Sequence, residues 1–341
     1  MNIWQRSSIP KFSPKRKRNA AAFFFPLLAV VAFCAALFFG AAEASVSEAF
    51  RALFSGDMTT DFKIVFYIRL PRALGAFLAG AALATAGIII QAVLNNPLAA
   101  PNLIGVNAGA GFFVILVMAV LRDFLPYLPL AAFIGALLTA LLIYAISALT
   151  GAGKVTVTLV GVAVGSILTA GINTVKTLFP DSVYDVSGFL IGGLSSVSMS
   201  AVLPAGIMIA PALLVAWLFS ARLDVLSLGA EVAGGLGIRV TRARLAWLML
   251  AAVLAGAAVS FAGLIGFVGL IVPHVMRKFV GNAHRYLIPI SVFGGGAFLL
   301  IADLLARTLF APYELPVGIL LSLAGGPFFI LLLLAERRSA R

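Results

Sequence analysis

The sequence predicts an all-α polytopic membrane protein of about ten transmembrane helices with an inverted internal repeat, and three observations carry that reading. Of the 341 residues 62% are apolar and only 11% charged, with a mean hydropathy of +1.12, a balance that no water-soluble globule with one core sustains. Apolar runs recur at the length of about 20 residues that a helix needs to cross a hydrocarbon slab of about 30 Å with its backbone bonds closed internally. The stretch from Leu78, LAGAALATAGIIIQAVLNNPLA, returns 176 positions later from Leu254 as LAGAAVSFAGLIGFVGLIVPHVMR. Leu78, Ala79, Gly80, Ala81, Ala82, Ala86, Gly87 and Pro97 then stand opposite Leu254, Ala255, Gly256, Ala257, Ala258, Ala262, Gly263 and Pro273 without a gap.

In order, residues 1–19 form a basic arm with Arg6, Lys11, Lys15, Arg16, Lys17 and Arg18 and no acid, and residues 20–341 form one transmembrane domain. The first span is Ala20 to Ala42, a retained anchor whose N-terminus the positive-inside rule places in the cytoplasm. Glu43, Glu48, Asp57 and Asp61 follow against a single Arg51, which suits the outer side. The second run starts near Lys63 and reaches Leu94, with Pro71 near its start, where a missing donor costs nothing. Further spans are expected at Leu103–Leu121, Tyr127–Leu149, Val155–Leu178, Met199–Phe219, Leu245–Phe261, Leu264–Val280, Tyr286–Leu305 and Leu315–Ala335. The break between the seventh and eighth spans stays open, because Gly263, Gly266, Gly269 and Pro273 each permit one and the repeat favours a later position than hydropathy does.

Ten spans return the C-terminus, with Arg337, Arg338 and Arg341, to the cytoplasm, and place most of the 24 Lys and Arg residues inside. The repeat maps the second span onto the seventh, and an odd offset reverses direction across the membrane. The halves cover about residues 60–200 and 240–335.

Exclusions narrow the function. The net charge of +12 sits in short clusters between apolar runs, not on one soluble face, so nucleic acid is not the expected partner. Gly151-Ala-Gly-Lys-Val-Thr has Ala148 where a phosphate loop needs Gly and Val155 where it needs Ser or Thr. His274 and His284, ten apart, have no metal-ligand partners at suitable spacing and read as helix-end hydrogen-bonding residues. Cys34, the single cysteine, reads as a packed thiol. No catalytic site, cofactor or metal is expected.

Some residues carry two readings. Arg69, Arg72 and Arg307 either anchor an acidic soluble partner through bidentate contacts, or Arg307 pairs with Asp303 one turn earlier while the other two snorkel to headgroups. Leu226 to Gly237 reads as a short amphipathic helix, docked in a cytoplasmic partner's groove or lying on the lipid. Ser187, Ser195, Ser196 and Ser198 line a polar vestibule or form a plain solvated loop.

Taken together, Arg69-Leu-Pro-Arg72, Gly80-Ala-Ala-Leu with Gly87 and Gln91, Asn96-Pro-Leu-Ala with Pro101 and Gly105, Leu228-Gly229 to Leu236-Gly237, Gly266-Phe-Val-Gly-Leu-Ile-Val-Pro-His274 with Arg277, Ala302-Asp303 with Arg307, and Glu314-Leu-Pro-Val-Gly318 with Gly325 and Pro327 resemble the FecCD-type permeases. These are the membrane subunits of ABC importers for iron-siderophores, haem and cobalamin. The resemblance, from about residue 60 to the C-terminus, implies a type II importer fold in the bacterial inner membrane. It implies a second permease subunit, two copies of an ABC ATPase, and a soluble or lipid-anchored substrate-binding protein as partners. By the same resemblance Arg69, Arg72 and Arg307 meet the binding protein, Leu228, Gly229, Glu231, Leu236 and Gly237 couple to the ATPase, and Lys154 and Val155 form the cytoplasmic gate. The sequence departs from the family pattern at Ala230 and Gly234 in the coupling loop and at Lys154 and Val155. An ion-coupled secondary transporter is the competing class, but such proteins hold ionisable residues near the midplane, and these spans hold almost none.

Overall fold

A computed structural model describes residues 14–40, 44–55, 57–101, 105–121, 127–149, 154–180 and 186–339. Among them there is no strand. The long helices are α1 (Pro14–Phe38), α4 (Leu70–Leu94), α5 (Val106–Val120), α6 (Leu128–Leu149), α7 (Lys154–Leu178), α9 (Met199–Leu218), α12 (Val240–Ala262), α13 (Val268–Val280), α14 (His284–Thr308) and α15 (Val317–Ser339). Short helices α2 (Val46–Ser55), α3 (Thr60–Lys63), α8 (Val186–Ile191), α10 (Ser220–Ser227) and α11 (Ala230–Gly235) connect them. Among the described residues seven stretches are long and apolar enough to cross a membrane, and α5 and the Val317–Leu331 part of α15 add shorter apolar helices. Each of the ten expected spans coincides with a helix.

The bundle is built around α4, whose apolar stretch is 83% buried. Hydrocarbon gives apolar side chains no reason to leave it, so helices in lipid associate through close packing at small residues. At Gly80 a Cβ would meet the carbonyl oxygen of Gly295 in α14, and at Gly87 it would meet that of Gly269 in α13. Glycine is required there because backbone rests on backbone. Gly109 of α5 and Gly135 of α6 approach each other in the same way.

The acidic stretch after α1, expected as an outer connection, contains a helix. Val46, Ala49 and Ala52, spaced at three, form the buried edge of α2, and the first two cluster with Val65. From Thr60 the chain stays helical to Leu94, with a π-helical stretch at Ile64–Arg69 directly before α4.

The seventh and eighth spans part between Ala262 and Val268. Gly263 (φ 70°) and Phe267 (φ 64°) both adopt left-handed backbone there. The groups freed by the break are bonded by protein: Leu264 N–H donates to Phe189 O at 3.0 Å, and Gly193 N–H donates to Ala262 O at 3.1 Å. Irregular backbone at membrane depth survives only with such partners.

Gly80→Leu is expected to drive α4 from α14 and cost about 3 kcal/mol or more, whereas Gly234→Ala, with open space around its Cβ, should stay within about 1 kcal/mol of the parent. Unfolding midpoints in detergent check both; equal midpoints would dismiss the Gly80 contact.

Candidate functional site

The bundle has two polar ends, joined by the antiparallel pair α4 and α14. At one end a cluster of ionised side chains closes over the C-terminus of α1. Arg72 donates to both carboxylate oxygens of Asp303 (Nε at 2.9 and 3.1 Å, Nη2 at 3.0 Å) and through Nη1 to Glu314 at 2.7 Å. Arg307 Nε stands 3.8 Å from the same Asp303 without a hydrogen bond, and its Nη2 donates to Ala36 O at 2.7 Å. Arg69 Nη1 donates to Leu37 O at 2.8 Å and Phe38 O at 3.0 Å.

The sequence explains the arrangement. A helix ends with four carbonyls lacking partners and carries partial negative charge there. In α1 the first of these, Ala35 O, accepts from Phe39 N–H. Arg307 and Arg69 satisfy the other three.

All three arginines are enclosed, with 4%, 5% and 3% exposure for Arg69, Arg72 and Arg307. Asp303 brings Arg72 and Arg307 together, and Arg69 joins them through α1. Enclosure by protein also keeps the Arg69 and Arg72 side chains from reaching out along the bundle surface, as snorkelling would require. Glu314, whose side chain is 33% exposed, is the most accessible member of the cluster.

The opposite end lies about 35 Å away by the helical rise along α14 from His284 to Arg307. There α10 packs on α4 and α14 with Leu223 and Leu226 buried, and α11 follows it at the surface. Leu228, Val232 and Leu236 recur every four residues on α11 and its flanks, 63%, 49% and 64% exposed, while Ala233 is fully buried. Gly229 (φ 113°) and Gly237 (φ 81°) bracket the helix. Gly237 N–H donates to Gly234 O and Ile238 N–H to Ala233 O, both at 3.0 Å, a Schellman closure that requires left-handed backbone at Gly237. The Leu-Gly pairs therefore present one apolar ridge on a fixed stub, with Glu231 exposed beside it.

Two ties hold this end to the bundle. Asp224 of α10 accepts from His284 N–H at 3.0 Å, and its Oδ1 lies 2.6 Å from His284 Nδ1. Arg277 of α13 donates to Gln91 Oε1 at 2.6 Å, and Gln91 Nε2 passes the bond to Gly269 O at 3.2 Å. His284 stands at a helix end, hydrogen-bonded; His274 packs edge-on to Phe328, ring centroids 6.0 Å apart. Asp224 escaped the sequence reading because nothing local marks a pair 60 residues apart.

A third feature lies on α7, only 22% buried along its apolar stretch. Ser166, Thr169, Asn173 and Thr177 follow helical spacing and form one exposed polar stripe. Ser166, Thr169 and Thr177 donate to carbonyls four residues earlier, at 2.9, 2.7 and 2.9 Å. The spacing of these hydroxyls was the available signal, and the sequence reading missed it. Lys154 and Val155, the expected gate, begin α7, and their side chains lie outside the described residues, as does that of Ser187. Ser195, Ser196 and Ser198 are exposed.

The family model described as the FecCD transport family matches residues 28–335. The chain belongs to the FecCD transport family. Among its relatives, the hemin transport system permease protein HmuU of Yersinia pestis is 39% identical over 86% of this chain and 90% of its own length. The Fe(3+)-citrate import system permease protein YfmE of Bacillus subtilis is 35% identical over 96% of this chain and 99% of its own. A solved metal-chelate type ABC transporter in an inward-facing conformation superposes with a TM-score of 0.83, at 27% identity, over 93% of this chain and 99% of the other. As a FecCD member the chain is a multi-pass inner-membrane permease subunit and not an enzyme.

The Asp224–His284 tie makes a pH prediction. Burial alone would raise the Asp224 carboxyl, but the side-chain and backbone hydrogen bonds from His284 outweigh it and hold the carboxyl below its ordinary value of 3.8. A lowered folded value gives stability that is complete above 3.8 and is lost as the pH falls through the folded value. The difference in unfolding midpoint between the parent and Asp224→Asn should therefore persist from neutral pH down to about 5 and close below 3.8. A difference that grows on acidification would remove this role.

Proposed function

We propose that this FecCD permease carries an iron chelate into the cytoplasm as one half of a homodimer driven by two separate ATPases. An iron(III)-siderophore is the leading cargo, with haem and cobalamin behind it. The relatives whose names mention hemin and iron(III)-citrate support the class of cargo. Family membership disfavours the ion-coupled secondary transporter.

The observation that carries the proposal is the α7 stripe. Back-bonding satisfies the hydroxyl donors but not the Asn173 carboxamide among them, so this open face suits a wetted wall better than lipid, and a second copy facing α7 would enclose a path between the two stripes. Lys154 and Val155 stand at the start of the same helix, where a gate at the inner mouth belongs. Both termini are then cytoplasmic, and the end bearing α10 and α11 faces the ATPases.

Leu228, Gly229, Glu231, Leu236 and Gly237 form the part that an ATPase groove would grip. An apolar ridge of three side chains one turn apart is the usual currency of helix-in-groove recognition. The Asp224 tie would pass a push from the ATPase to α14, and the packing of α10 on α4 would pass it to α4, which Gln91 ties to α13.

At the outer end, Arg69, Arg72 and Arg307 mark the face for the substrate-binding protein. Because each is enclosed and engaged, they serve that face from beneath, fixing its shape and positive field. Direct contact with the partner falls to more exposed groups around them.

In a Cys34→Ser background, Thr169→Cys in the assembled importer should react with a membrane-impermeant maleimide, while Ile207→Cys on α9, 73% exposed in the single chain, should not. Equal labelling of both would reject the α7 path. Proteoliposomes holding the permease and its ATPase, with ATP inside and cargo offered on the binding protein, should accumulate chelate only with ATP. Leu228→Asp with Leu236→Asp should preserve ATPase turnover but stop accumulation; uptake indifferent to ATP would overturn the proposal.

A further inference from the structure

A cleft of about 820 Å³ opens between α9 and α12, at the end of the bundle that carries α10 and α11. Its wall is apolar, built from Val215 of α9 and from Trp247, Leu250 and Val253 of α12. Arg222, Arg239 and Arg242 stand around it, and no Asp or Glu lines it. Among the described residues no carboxylate pairs with any of the three. Arg222 lies over the ring of Phe219, 5.1 Å from its centroid, an arrangement that leaves its N–H groups available.

Three like charges gathered without a counter-ion repel one another, and they do so beside an apolar trough that none of the described helices covers. From Arg239 to Val253 the helix rises about 21 Å, the scale of one extended acyl chain. The cations stand where the apolar span begins, at the level of lipid headgroups. A fitting occupant is anionic at one end and apolar along the rest.

We propose that this cleft is a binding site for an anionic phospholipid, its phosphate held by Arg222, Arg239 and Arg242 and one acyl chain lying along Val215, Leu250 and Val253. The site is independent of the cargo, and it borders the proposed ATPase contact at Gly237, which lines the cleft. The basic arm of the chain, with Arg6 and Lys11 and no acid, carries the wrong charge to fill it. A small soluble anion would leave the apolar wall uncovered.

The chain has three tryptophans, and Trp4→Phe with Trp217→Phe leaves Trp247 as the sole fluorophore, inside the cleft. Full-length protein in nanodiscs is titrated with phosphatidylglycerol or phosphatidylcholine brominated on the acyl chains. Phosphatidylglycerol should quench Trp247 at the lower mole fraction. Arginine to glutamine should weaken that preference about fivefold per residue and about a hundredfold for all three, while lysine at the three positions should keep most of it. Ala246→Phe, which narrows the trough without touching charge, should reduce quenching by phosphatidylglycerol and keeps the test decisive if the glutamine variants fail to fold.

Equal quenching by the two lipids, or a preference that survives the triple glutamine variant, would overturn the proposal. Displacement of the brominated lipid by millimolar glycerol 3-phosphate would reassign the site to a soluble anion. Loss of quenching on adding the ATPase would reassign it to a protein partner.

Discussion

Backbone contact at Gly80 and Gly87 is the constraint on which the remaining architecture depends. In water, burial of large apolar side chains would hold α4 in place, but in hydrocarbon that force is absent between helices. What remains is the attraction of closely matched surfaces, strongest when nothing protrudes. Two glycines seven residues apart, two helical turns, give α4 one flat edge, yet it meets different partners along that edge: α14 at Gly295 and α13 at Gly269. Because α14 is continuous and α13 begins at a break, the two contacts hold a long helix and a short one at once.

That difference connects the two polar ends. The enclosed charge cluster fixes α1, α4 and α14 to one another, and removing one partner of such a pair leaves a buried charge uncompensated, at a cost of about 3–5 kcal/mol. The far end is tied differently. Gln91 links α4 to α13 through a carboxamide, and Asp224 links α10 to α14 through a pair in which the carboxylate side chain is 40% exposed. The partly solvated Asp224 pair breaks and reforms at less cost than a buried ion pair does. The end proposed to receive the push is therefore the softer one, and the end proposed to face the binding protein is the stiffer.

The helices were legible in the sequence because spanning a bilayer leaves a composition signal that needs no partner to be read. Leu226 to Gly237 was legible as an amphipathic stretch, but left-handed backbone at Gly229 and Gly237 confines its helix to Ala230–Gly235. The pairing of Arg72 with Asp303, across 231 positions, leaves no local trace. The pair that was legible locally, Asp303 with Arg307 one turn on, does form at 3.8 Å, but the bidentate contact goes to Arg72. The carbonyls at the end of α1 attract two arginines for a reason no side-chain inventory contains. The break at Gly263 was ambiguous because four candidate breakers lie within eleven residues; the bonds from Phe189 and Gly193 that support it come from a distant connection.

The α7 stripe bears on why so few residues of this chain point to a particular cargo. Each hydroxyl of Ser166, Thr169 and Thr177 already gives its proton to its own helix, so these three turn lone pairs outward and the exposed Asn173 carboxamide is the donor of the stripe. Such a wall is polar enough to be wetted and too well satisfied to hold a chelate tightly. Passage demands that combination, because a site that binds strongly enough to discriminate also delays release. Discrimination then belongs to a protein that meets the cargo before the permease does, and the driving energy to one that acts after. On this argument the permease supplies a low-affinity path and two mechanically unequal ends, and the identity of the chelate is written in its partners.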